Sequence, residues 1–253
     1  MFSFQFMKSL QHHIEKTDST NLLLKKIIDY KAQNNSQLPE LFTIFADEQT
    51  SGRGLATNKW ESEAGQNLLC SIYFRPPISP DRQFAFNQSF TLAVFKTVSQ
   101  FVNNVKIKWP NDIYVNDRKI AGILIEHQII GENIAHTVSG VGINVNQELF
   151  SENLPNPTSL KLITGKNHKI QDILDNLLKN CKFFYDKLIS GKFDELDSEY
   201  LKNLYRIDKI SDYKIHGEII AAKITGVNNY GQLLLEKTDG ESIVCNLKEI
   251  VFL

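Results

Sequence analysis

The densest group of chemically active side chains in the sequence lies at residues 108–126, KWPNDIYVNDRKIAGILIE. Lysine, asparagine, aspartate and arginine side chains alternate there with apolar residues of the kind that favour strands. Such a stretch is either an ordinary hairpin with a solvated face or a pair of strands that present charged groups to a pocket. The rest of the chain has to decide between these two interpretations.

The hairpin interpretation makes a specific prediction about Asp112 and Lys119. The pair Asn116-Asp117, flanked by β-forming residues, predicts a two-residue turn. With that turn, Tyr114 lies opposite Lys119 and Asp112 lies opposite Ala121. Because side chains alternate between the faces of a strand, Asp112 and Lys119 become diagonal neighbours on one face, about 7 Å apart at Cβ.

The residues that follow Lys119 predict the surroundings of its ammonium group. In this register Ile123 and Ile125 continue the same face as an apolar floor. Gly122 lies on the other face and indicates a place where a ligand or another backbone comes close. A surface hairpin with one ion pair, worth less than about 1 kcal/mol, remains the alternative.

A second segment, DEQTSGRGLATNKWES (47–62), places Arg53 between Gly52 and Gly54. A polar loop of small residues can bring backbone amides close to an anion. Trp60 favours a loop that folds over a flat ligand. The segment is not a P-loop, and GVGINV (140–145) does not complete a dinucleotide fingerprint, because Val145 occupies the place of the third glycine.

The composition excludes several classes of function. The 253 residues are 42% hydrophobic and 23% charged, with a formal net charge of -1, so a broad basic face for nucleic acid is not expected. Neither a signal peptide nor a membrane span is evident, and we expect a cytoplasmic protein. The scattered cysteines Cys70, Cys181 and Cys245 predict free thiols in a reducing compartment, and no histidine-based metal site is expected.

The elements that must position these residues predict an α+β fold. Asp18 or Ser19 caps a first helix, buried strands follow at 41–49 and 67–74, and a second helix covers about 84–101. Three or four strands then precede two amphipathic helices. After Ile207 the chain changes to closely spaced short strands, which predict a small β-barrel. We therefore predict two domains, residues 1–206 and residues 207–253.

Four segments taken together resemble the biotin–protein ligases: DSTN (18–21), QTSGRG…W (49–60), KWPND…RKIAGILIE (108–126) and GVGINVN (140–146). They occur in the order usual for that family. The resemblance implies a catalytic domain built on a mixed β-sheet with flanking helices, followed by an SH3-like barrel. It also implies an ATP-dependent ligase that makes biotinyl-5′-adenylate and pyrophosphate. The biotin then passes to one lysine of a carrier domain of a biotin-dependent carboxylase, commonly acetyl-CoA carboxylase.

The resemblance also implies roles for individual residues. Its catalytic residues are Lys119, Arg53 and Asp112. Contacts with biotin are implied for Ser19, Thr20, Gln49, Gly52, Arg53, Lys119, Gly122 and Gly140. Contacts with ATP or the adenylate are implied for Arg53, Trp60, Asn111, Lys119 and Asn144. The implied metal is Mg²⁺, which Asp112 would help to place.

The sequence departs from the family pattern in the loop before Trp60. Members often carry further basic residues there, whereas LATNK (55–59) leaves Lys59 as its single cation, so retention of the adenylate is expected to be weaker. Members that double as repressors carry a DNA-binding domain before the first motif. Ser19 lies too close to the N-terminus to leave room for one, so we expect a monofunctional ligase without DNA binding, either a monomer or a homodimer.

Two alternatives stand beside this interpretation. Lipoate or octanoate ligases and transferases share the fold and also deliver an acyl group to a lysine, but their lysine motif differs from KWPND. A non-catalytic module that binds biotin or a carrier domain is the second alternative. The presence of Arg53, Asp112 and Lys119 together argues against such a loss of activity.

Overall fold

The structure, a computed structural model, describes residues 8–253, which form two β-sheets and five α-helices. The seven strands of the larger sheet are β1 (Gln11–Thr17), β2 (Thr43–Gln49), β3 (Leu68–Phe74), β4 (Val105–Lys108), β5 (Asp112–Val115), β6 (Arg118–Ile130) and β7 (Asn133–Ile143). Their order is β1-β2-β3-β7-β6-β5-β4. The β1–β2 pair is parallel and the other pairs are antiparallel, so the sheet is mixed, as predicted.

The helices cover the two faces of this sheet unequally. They are α1 (Thr20–Gln33), α2 (Gln83–Ser99), α3 (Leu160–Thr164), α4 (Ile170–Ile189) and α5 (Phe193–Lys202). Helix α1 contacts β2, β3 and β7, while α2, α4 and α5 pack against one another on the opposite side. Within residues 8–253, none of the helices combines the length and the hydropathy that a bilayer crossing requires.

The alternation along β3 shows which face of the sheet carries which chemistry. Cys70, Ile72 and Phe74 belong to the main hydrophobic core with α2 and α4. Tyr73 packs instead with residues of α1, and Ser71 lies on the same face as Tyr73. The α1 side of the sheet is therefore the side on which polar groups lie close together.

The start of α1 agrees with the prediction from the sequence. Ser19 is extended, with φ -159° and ψ 132°, and directly precedes the first helical residue. The helix is predicted from the spacing of Leu22, Leu23, Ile27 and Ile28. Of these, Ile28 is buried against the sheet, together with Leu24. Helix α1 thus begins at the edge of the polar region, and Ser19, Thr20 and the backbone amides of the first turn are available to that region.

The second sheet is formed entirely by the C-terminal part of the chain. Its strands are β8 (Ile210–Ile215), β9 (Glu218–Val227), β10 (Leu233–Lys237), β11 (Ser242–Cys245) and β12 (Ile250–Phe252), in the order β11-β10-β9-β8-β12. All neighbouring pairs are antiparallel. This arrangement suits an SH3-like unit and confirms the predicted α+β fold. The division into domains at residues 206 and 207 stays a prediction.

The two sheets are joined by direct contacts at Trp109. This side chain is 4% exposed, and its Nε1 donates a hydrogen bond of 2.9 Å to the carbonyl oxygen of Gly231, between β9 and β10. The hydrophobic core continues from the large sheet through Ile107 to Tyr213 and Leu235 of the small one. The C-terminal sheet is therefore held against the strands that carry Lys108 and Asp112.

Strand β1 is the element that the sequence pattern does not indicate. It lies at the edge of the sheet with one neighbour, and its side chains, which include His12, His13 and Lys16, are mostly exposed. It therefore shows no alternation of apolar and polar residues. Part of the segment considered for a signal peptide, residues 1–7, lies outside the described residues.

Candidate active site

A cavity of about 420 Å³ opens on the α1 side of the large sheet. Its size is typical of a small-molecule site. Most of its lining comes from the start of α1, the loop after β2, strands β4 to β7 with their connections, and the C-terminal strand β12 with the loop before it. Of the predicted site residues, the cavity brings together Ser19, Thr20, Gln49, Arg53, Trp60, Asn111, Asp112, Lys119, Gly122 and Gly140.

Asp112 and Lys119 meet as the hairpin predicts. Lys119 Nζ lies 2.7 Å from Asp112 Oδ1, and the two side chains are 30% and 19% exposed. The turn at Asn116-Asp117 also has the predicted form, with both residues at positive φ. The predicted closeness of the two charges is confirmed, and both charges face the cavity.

The predicted floor beneath them is wrong, because a β-bulge shifts the register. Tyr114 does pair with Lys119, but Asp112 pairs with Gly122 rather than with Ala121. One extra residue on β6 moves every later side chain to the opposite face. Gly122 therefore lies on the same face as Lys119, and Ile123, 2% exposed, points into the main core instead.

The actual floor consists of two glycines, Gly122 and Gly142, whose missing side chains leave room for the indole of Trp60. We call this pair the glycine floor. Gly122 pairs with Gly142 on β7. A Cβ atom on Gly122 would lie 2.8 Å from Cζ3 of Trp60, and one on Gly142 would lie 2.6 Å from Cζ2. Trp60 thus lies directly on bare backbone, and Lys119 Nζ lies 5.7 Å from the centroid of its ring. Gly122, which the sequence presents as a backbone-contact position, serves that purpose here, and Gly142 does so without having been predicted.

A compact group of hydrogen bonds lies at the other end of the cavity. The Thr20 amide and hydroxyl donate to Gln49 Oε1 over 2.7 and 3.0 Å. Ser71 Oγ lies 2.7 Å from Thr20 Oγ1, within hydrogen-bond distance. Ser19 is 2% exposed, lines the cavity and makes no side-chain capping bond to the helix. We call Ser19, Thr20, Gln49 and Ser71 the head cluster.

Asn21 supports the head cluster and was not predicted as a site residue. Its Oδ1 accepts a hydrogen bond of 2.5 Å from Ser71, and its Nδ2 donates to the carboxylate of Glu126 over 2.8 Å. Asn21 is 3% exposed and lies over Gly140, where a Cβ atom would lie within 3 Å of its Cγ. The motif DSTN contains Asn21, but neither its burial nor its partners can be seen from the sequence.

Lys108 is a second cation that the sequence roles omit. Its Nζ donates to the Tyr114 hydroxyl over 3.1 Å and lies 5.0 Å from the ring centroid of Phe252 on β12. Burial lowers the pKa of this ammonium group, an effect that Lys119 and Arg206 reinforce and Asp112 opposes. The C-terminal sheet therefore contributes directly to the wall of the cavity.

The two predicted nucleotide-binding asparagines hold backbone in place. Asn111 Nδ2 donates to the carbonyl oxygen of Ile123 over 2.6 Å, and Asn144 Nδ2 donates to that of Thr158 over 2.9 Å. Asn144 lies in an adjoining cavity that also includes Trp60 and Lys119. Its Oδ1 is buried without a hydrogen-bond partner among the described residues, which leaves one acceptor for a ligand.

Arg53 lines the cavity, but its guanidinium group reaches a partner that the sequence roles omit. The loop forms a small bridge between Arg53 and Lys59, and Arg53 Nη1 lies 3.3 Å from Glu126 Oε1. Gly52 lies beside the cavity, in the loop from Gln49 to Ser62. No group of three or more His, Cys, Asp or Glu side chains suited to a metal occurs within residues 8–253.

Comparison with known proteins gives one family. A sequence model of the biotin/lipoate A/B protein ligase family matches residues 14–144. The bifunctional ligase/repressor BirA of Bacillus subtilis is 28% identical over 210 residues, an alignment that covers 81% of this chain and 65% of the relative. Biotin–protein ligase 2 of Arabidopsis thaliana is 29% identical over 226 residues, with the same two coverages. The chain thus spans 65% of the length of these relatives.

Solved structures show the same fold. The biotin protein ligase of Aquifex aeolicus, in complex with biotin and ATP, superposes with a TM-score of 0.76 at 24% identity. The superposition covers 95% of this chain and 97% of the other. The overall fold is therefore shared with that enzyme.

Proposed function

Because the chain belongs to the biotin/lipoate A/B protein ligase family, we propose that it is a biotin–protein ligase. It would join biotin to ATP to form biotinyl-5′-adenylate, and then transfer the biotin to a lysine of a carrier domain. The observation that carries this proposal is the cavity with the Asp112–Lys119 pair at one end and the head cluster at the other. The similarity to proteins named biotin–protein ligases supports it.

The head cluster is suited to the polar ureido ring of biotin. A cyclic urea presents one carbonyl acceptor and two N–H donors. Ser19 has a hydroxyl free of capping bonds, and Gln49 and Thr20 hold each other in fixed positions. Polar groups that are already paired and fixed bind a ligand without a further loss of side-chain entropy.

The cations at the other end would offset the repulsion between the biotin carboxylate and the phosphates of ATP in the first step. A carboxylate oxygen of biotin attacks the α-phosphorus of ATP, the bond from phosphorus to the bridging oxygen breaks, and pyrophosphate leaves. Two unit charges 4 Å apart repel by about 4 kcal/mol at an effective dielectric constant near 20. Lys119 and Arg53 line the cavity and would offset this repulsion. Lys108 adds a third positive group on the same wall.

Trp60 and the glycine floor are suited to the flat parts of the nucleotide. Gly122 and Gly142 allow a planar group to approach the backbone of β6 and β7. The side-chain oxygen Oδ1 of Asn144, which lacks a hydrogen-bond partner among the described residues, would help to orient the base. Covering the mixed anhydride with the loop would keep water from it.

The second step transfers the acyl group to an amine. The carrier lysine must be neutral when its nitrogen attacks the biotinyl carbonyl carbon, and AMP then leaves with the bonding electrons. Asp112 is the carboxylate placed at this position, and it could accept the proton that the amine loses. Its contact of 2.7 Å with Lys119 orients it for that role.

The donor set fits a magnesium ion that arrives with the nucleotide. Mg²⁺ is commonly bound by one or two carboxylates together with substrate phosphates. Asp112 is the carboxylate that lines the cavity beside Lys119 and would hold the ion. When bound, the ion would neutralise phosphate charge.

The partner of the second step would be the carrier domain of a biotin-dependent carboxylase, such as acetyl-CoA carboxylase. Free, buried thiols at Cys70, Cys181 and Cys245 suit the reducing cytoplasm, where we propose that the reaction takes place.

Mass spectrometry of the reaction products tests the proposal. The pure protein is mixed with Mg-ATP and either biotin or lipoate. Biotinyl-adenylate is expected in the first mixture and no lipoyl-adenylate in the second. An adduct with lipoate alone would assign the chain to the lipoate branch of the family. Biotin binding without any adduct would support the non-catalytic alternative.

Two lysine variants test the assignment of the site. Lys119→Gln removes the cation beside Asp112, so we expect adenylate formation to fall by a factor of at least about 100. Lys106 lies on β4, the strand that pairs with β5, and does not line the cavity. Lys106→Gln is therefore the matched control and should retain full activity. Equal activity of both variants would show that Lys119 does not act in the chemistry.

A further inference from the structure

Glu126 is an ionised group beside the site that the proposed mechanism does not use. It lies on β6 with its side chain 21% exposed. Lys25 Nζ lies 2.7 Å from Oε1, Arg53 Nη1 lies 3.3 Å from the same oxygen, and Asn21 Nδ2 donates to Oε2 over 2.8 Å. One carboxylate therefore joins helix α1, the loop after β2 and strand β6.

The surroundings keep Glu126 negatively charged. Burial alone would raise the pKa of its carboxyl group, but the hydrogen bonds from Lys25 and Asn21 and the charges of Lys25 and Arg53 outweigh burial and lower that pKa. The group is a carboxylate at neutral pH. It can therefore attract the guanidinium of Arg53 at neutral pH.

The three partners of Glu126 are not equivalent. Lys25 and Asn21 make the short contacts, whereas Arg53 makes the longest one; the side chains of Lys25 and Arg53 are equally exposed. If Arg53 moved to another anion, the carboxylate would keep one positive charge and one amide donor. The arrangement thus lets Arg53 leave without exposing an unpaired buried charge.

We propose that Glu126 is a positioning residue for Arg53. It holds the guanidinium group, and with it the Gly52–Gly54 loop, against the cavity wall until a phosphate takes over this contact. The proposal that Glu126 restrains the loop rests on the contacts alone. The transfer to a phosphate rests on the proposed function.

The connection to the head cluster explains why Glu126 itself is held in a fixed position. Asn21 donates to Glu126 and accepts from Ser71, and Ser71 Oγ also lies 2.7 Å from Thr20 Oγ1. This chain of hydrogen bonds ties the carboxylate to the buried end of the cavity. Arg53 is thereby positioned relative to the biotin head site and not only relative to its own loop.

Hydrogen exchange tests the hold on the loop without any substrate. The amides of Gly54 and Trp60 report on it, because they bond to the carbonyl oxygens of Asn58 and Gly52 within the loop. Glu126→Gln should accelerate exchange of both amides about fivefold. Glu132→Gln, in the exposed β6–β7 turn, is the matched control and should leave them unchanged. Unchanged exchange in Glu126→Gln would overturn the proposal.

A double-mutant cycle separates action through Arg53 from a general loosening of the fold. In an Arg53→Gln background, Glu126→Gln should cause no further acceleration. An equal acceleration in both backgrounds would show that Glu126 acts through Asn21 or Lys25, and the proposal would fail. This result does not depend on whether the protein activates biotin.

A kinetic test addresses the proposed move of Arg53 from Glu126 to a phosphate of ATP. If Glu126 positions Arg53 productively, Glu126→Gln should raise the KM for ATP about threefold and leave the KM for biotin unchanged. A lower KM for ATP would mean that Glu126 merely competes with the phosphate, which contradicts a positioning role. Absence of adenylate formation in the unmodified protein would reject the proposed function, while the exchange result would still decide the role of Glu126.

Discussion

Trp60 can lie on the glycine floor only because the side chain of each glycine is a single hydrogen atom. The indole lies where a side chain on Gly122 or Gly142 would have to be. Its Nε1 is buried without a hydrogen-bond partner among the described residues. Trp60 is therefore held by shape and by the nearby Lys119 ammonium rather than by a polar bond.

A methyl group on the floor should displace Trp60 without unfolding the protein. In Gly142→Ala the new Cβ would overlap the indole, which lies on a loop and can move. We expect adenylate formation to fall at least about tenfold, since the surface for the nucleotide is lost. The free energy of unfolding should change by less than about 1 kcal/mol.

Fluorine NMR can locate the effect of Gly142→Ala. The chain has two tryptophans, so labelling with 5-fluorotryptophan gives two resonances. The Trp60 resonance should shift, while that of Trp109, in the core between the sheets, should not. Gly226→Ala, whose Cβ would approach only Leu234 at 4.0 Å, is the control. A shift of both resonances or of neither would contradict the expected displacement.

Single residues were predictable where the spacing along one strand sufficed. The meeting of Asp112 and Lys119 follows from a two-residue turn and strand alternation, and it is confirmed. The bulge on β6 could not be predicted, because an extra unpaired residue has no signature in the pattern of apolar side chains. Glu126 and Asn21 were missed for another reason: their partners are distant in sequence and depend on how α1 packs on the sheet.

Among the elements, the β9–β10 turn contacts the rest of the protein in two ways, through a hydrogen bond and through packing. Gly231 has φ +81°, in the left-handed region, and its carbonyl oxygen accepts the hydrogen bond from Trp109. A Cβ atom there would also lie 2.8 Å from Cδ2 of Phe84, which is 8% exposed. The turn is thus packed tightly against the large sheet's helical layer.

Comparing two glycines separates the turn's backbone conformation from its packing. Gly240 has a similar φ of +91°, but a Cβ atom there would meet nothing within 4 Å. Gly240→Ala should therefore cost only the left-handed strain, about 1 kcal/mol. Gly231→Ala should cost about 3 kcal/mol, because overlap with a buried ring is added. Urea unfolding measures both losses, and equal losses would show that the junction tolerates the methyl group.

Elements were predictable where their apolar residues recur at helical spacing or form a continuous run. The spacing of Leu22, Leu23, Ile27 and Ile28 indicates α1, and the apolar run at 67–74 indicates β3, which is buried along its whole length. The polar edge strand β1 gave no such signal. The short helix α3 was also missed, since its 5 residues are fewer than two turns.

At the scale of the whole molecule, one hydrophobic cluster extends through both sheets. It includes Ile72 of the large sheet, Leu174 of α4 and Tyr213 and Leu235 of the small sheet. A shared core of this kind favours unfolding in a single cooperative transition. A local change in the charge of a buried group should then appear in the free energy of unfolding of the entire chain.

His127 is such a group, and it links stability to pH. Its ring donates from Nε2 to Asn87 Oδ1 over 2.9 Å and accepts at Nδ1 from the Thr137 hydroxyl over 2.8 Å, because a carbonyl oxygen can only accept. It also meets the edge of Phe86. Burial lowers the pKa of His127 from 6.5 to about 4, so the folded protein holds the ring neutral.

The direction of the pH effect follows from that difference. Above pH 6.5 the ring is neutral in both the folded and the unfolded chain, so its pKa shift has no effect on stability there. As the pH falls from 6.5 towards 4, the unfolded chain binds a proton that the folded chain does not, and the folded state loses stability. The full shift corresponds to about 3 kcal/mol, and we expect about 2 kcal/mol because the ring is not completely enclosed.

Urea unfolding between pH 7.5 and 4.5 can isolate the contribution of His127. Carboxylates also lose stabilising contacts over part of this range, so the informative quantity is the difference between two proteins. His127→Gln should be less stable than the unmodified protein at pH 7.5, since it loses the fitted ring, but its stability should fall less on acidification. His12→Gln, at an exposed position on β1, should follow the unmodified curve. If His127→Gln lost as much stability on acidification as the unmodified protein, the ring would have to accept its proton while folded, and burial would not control its charge.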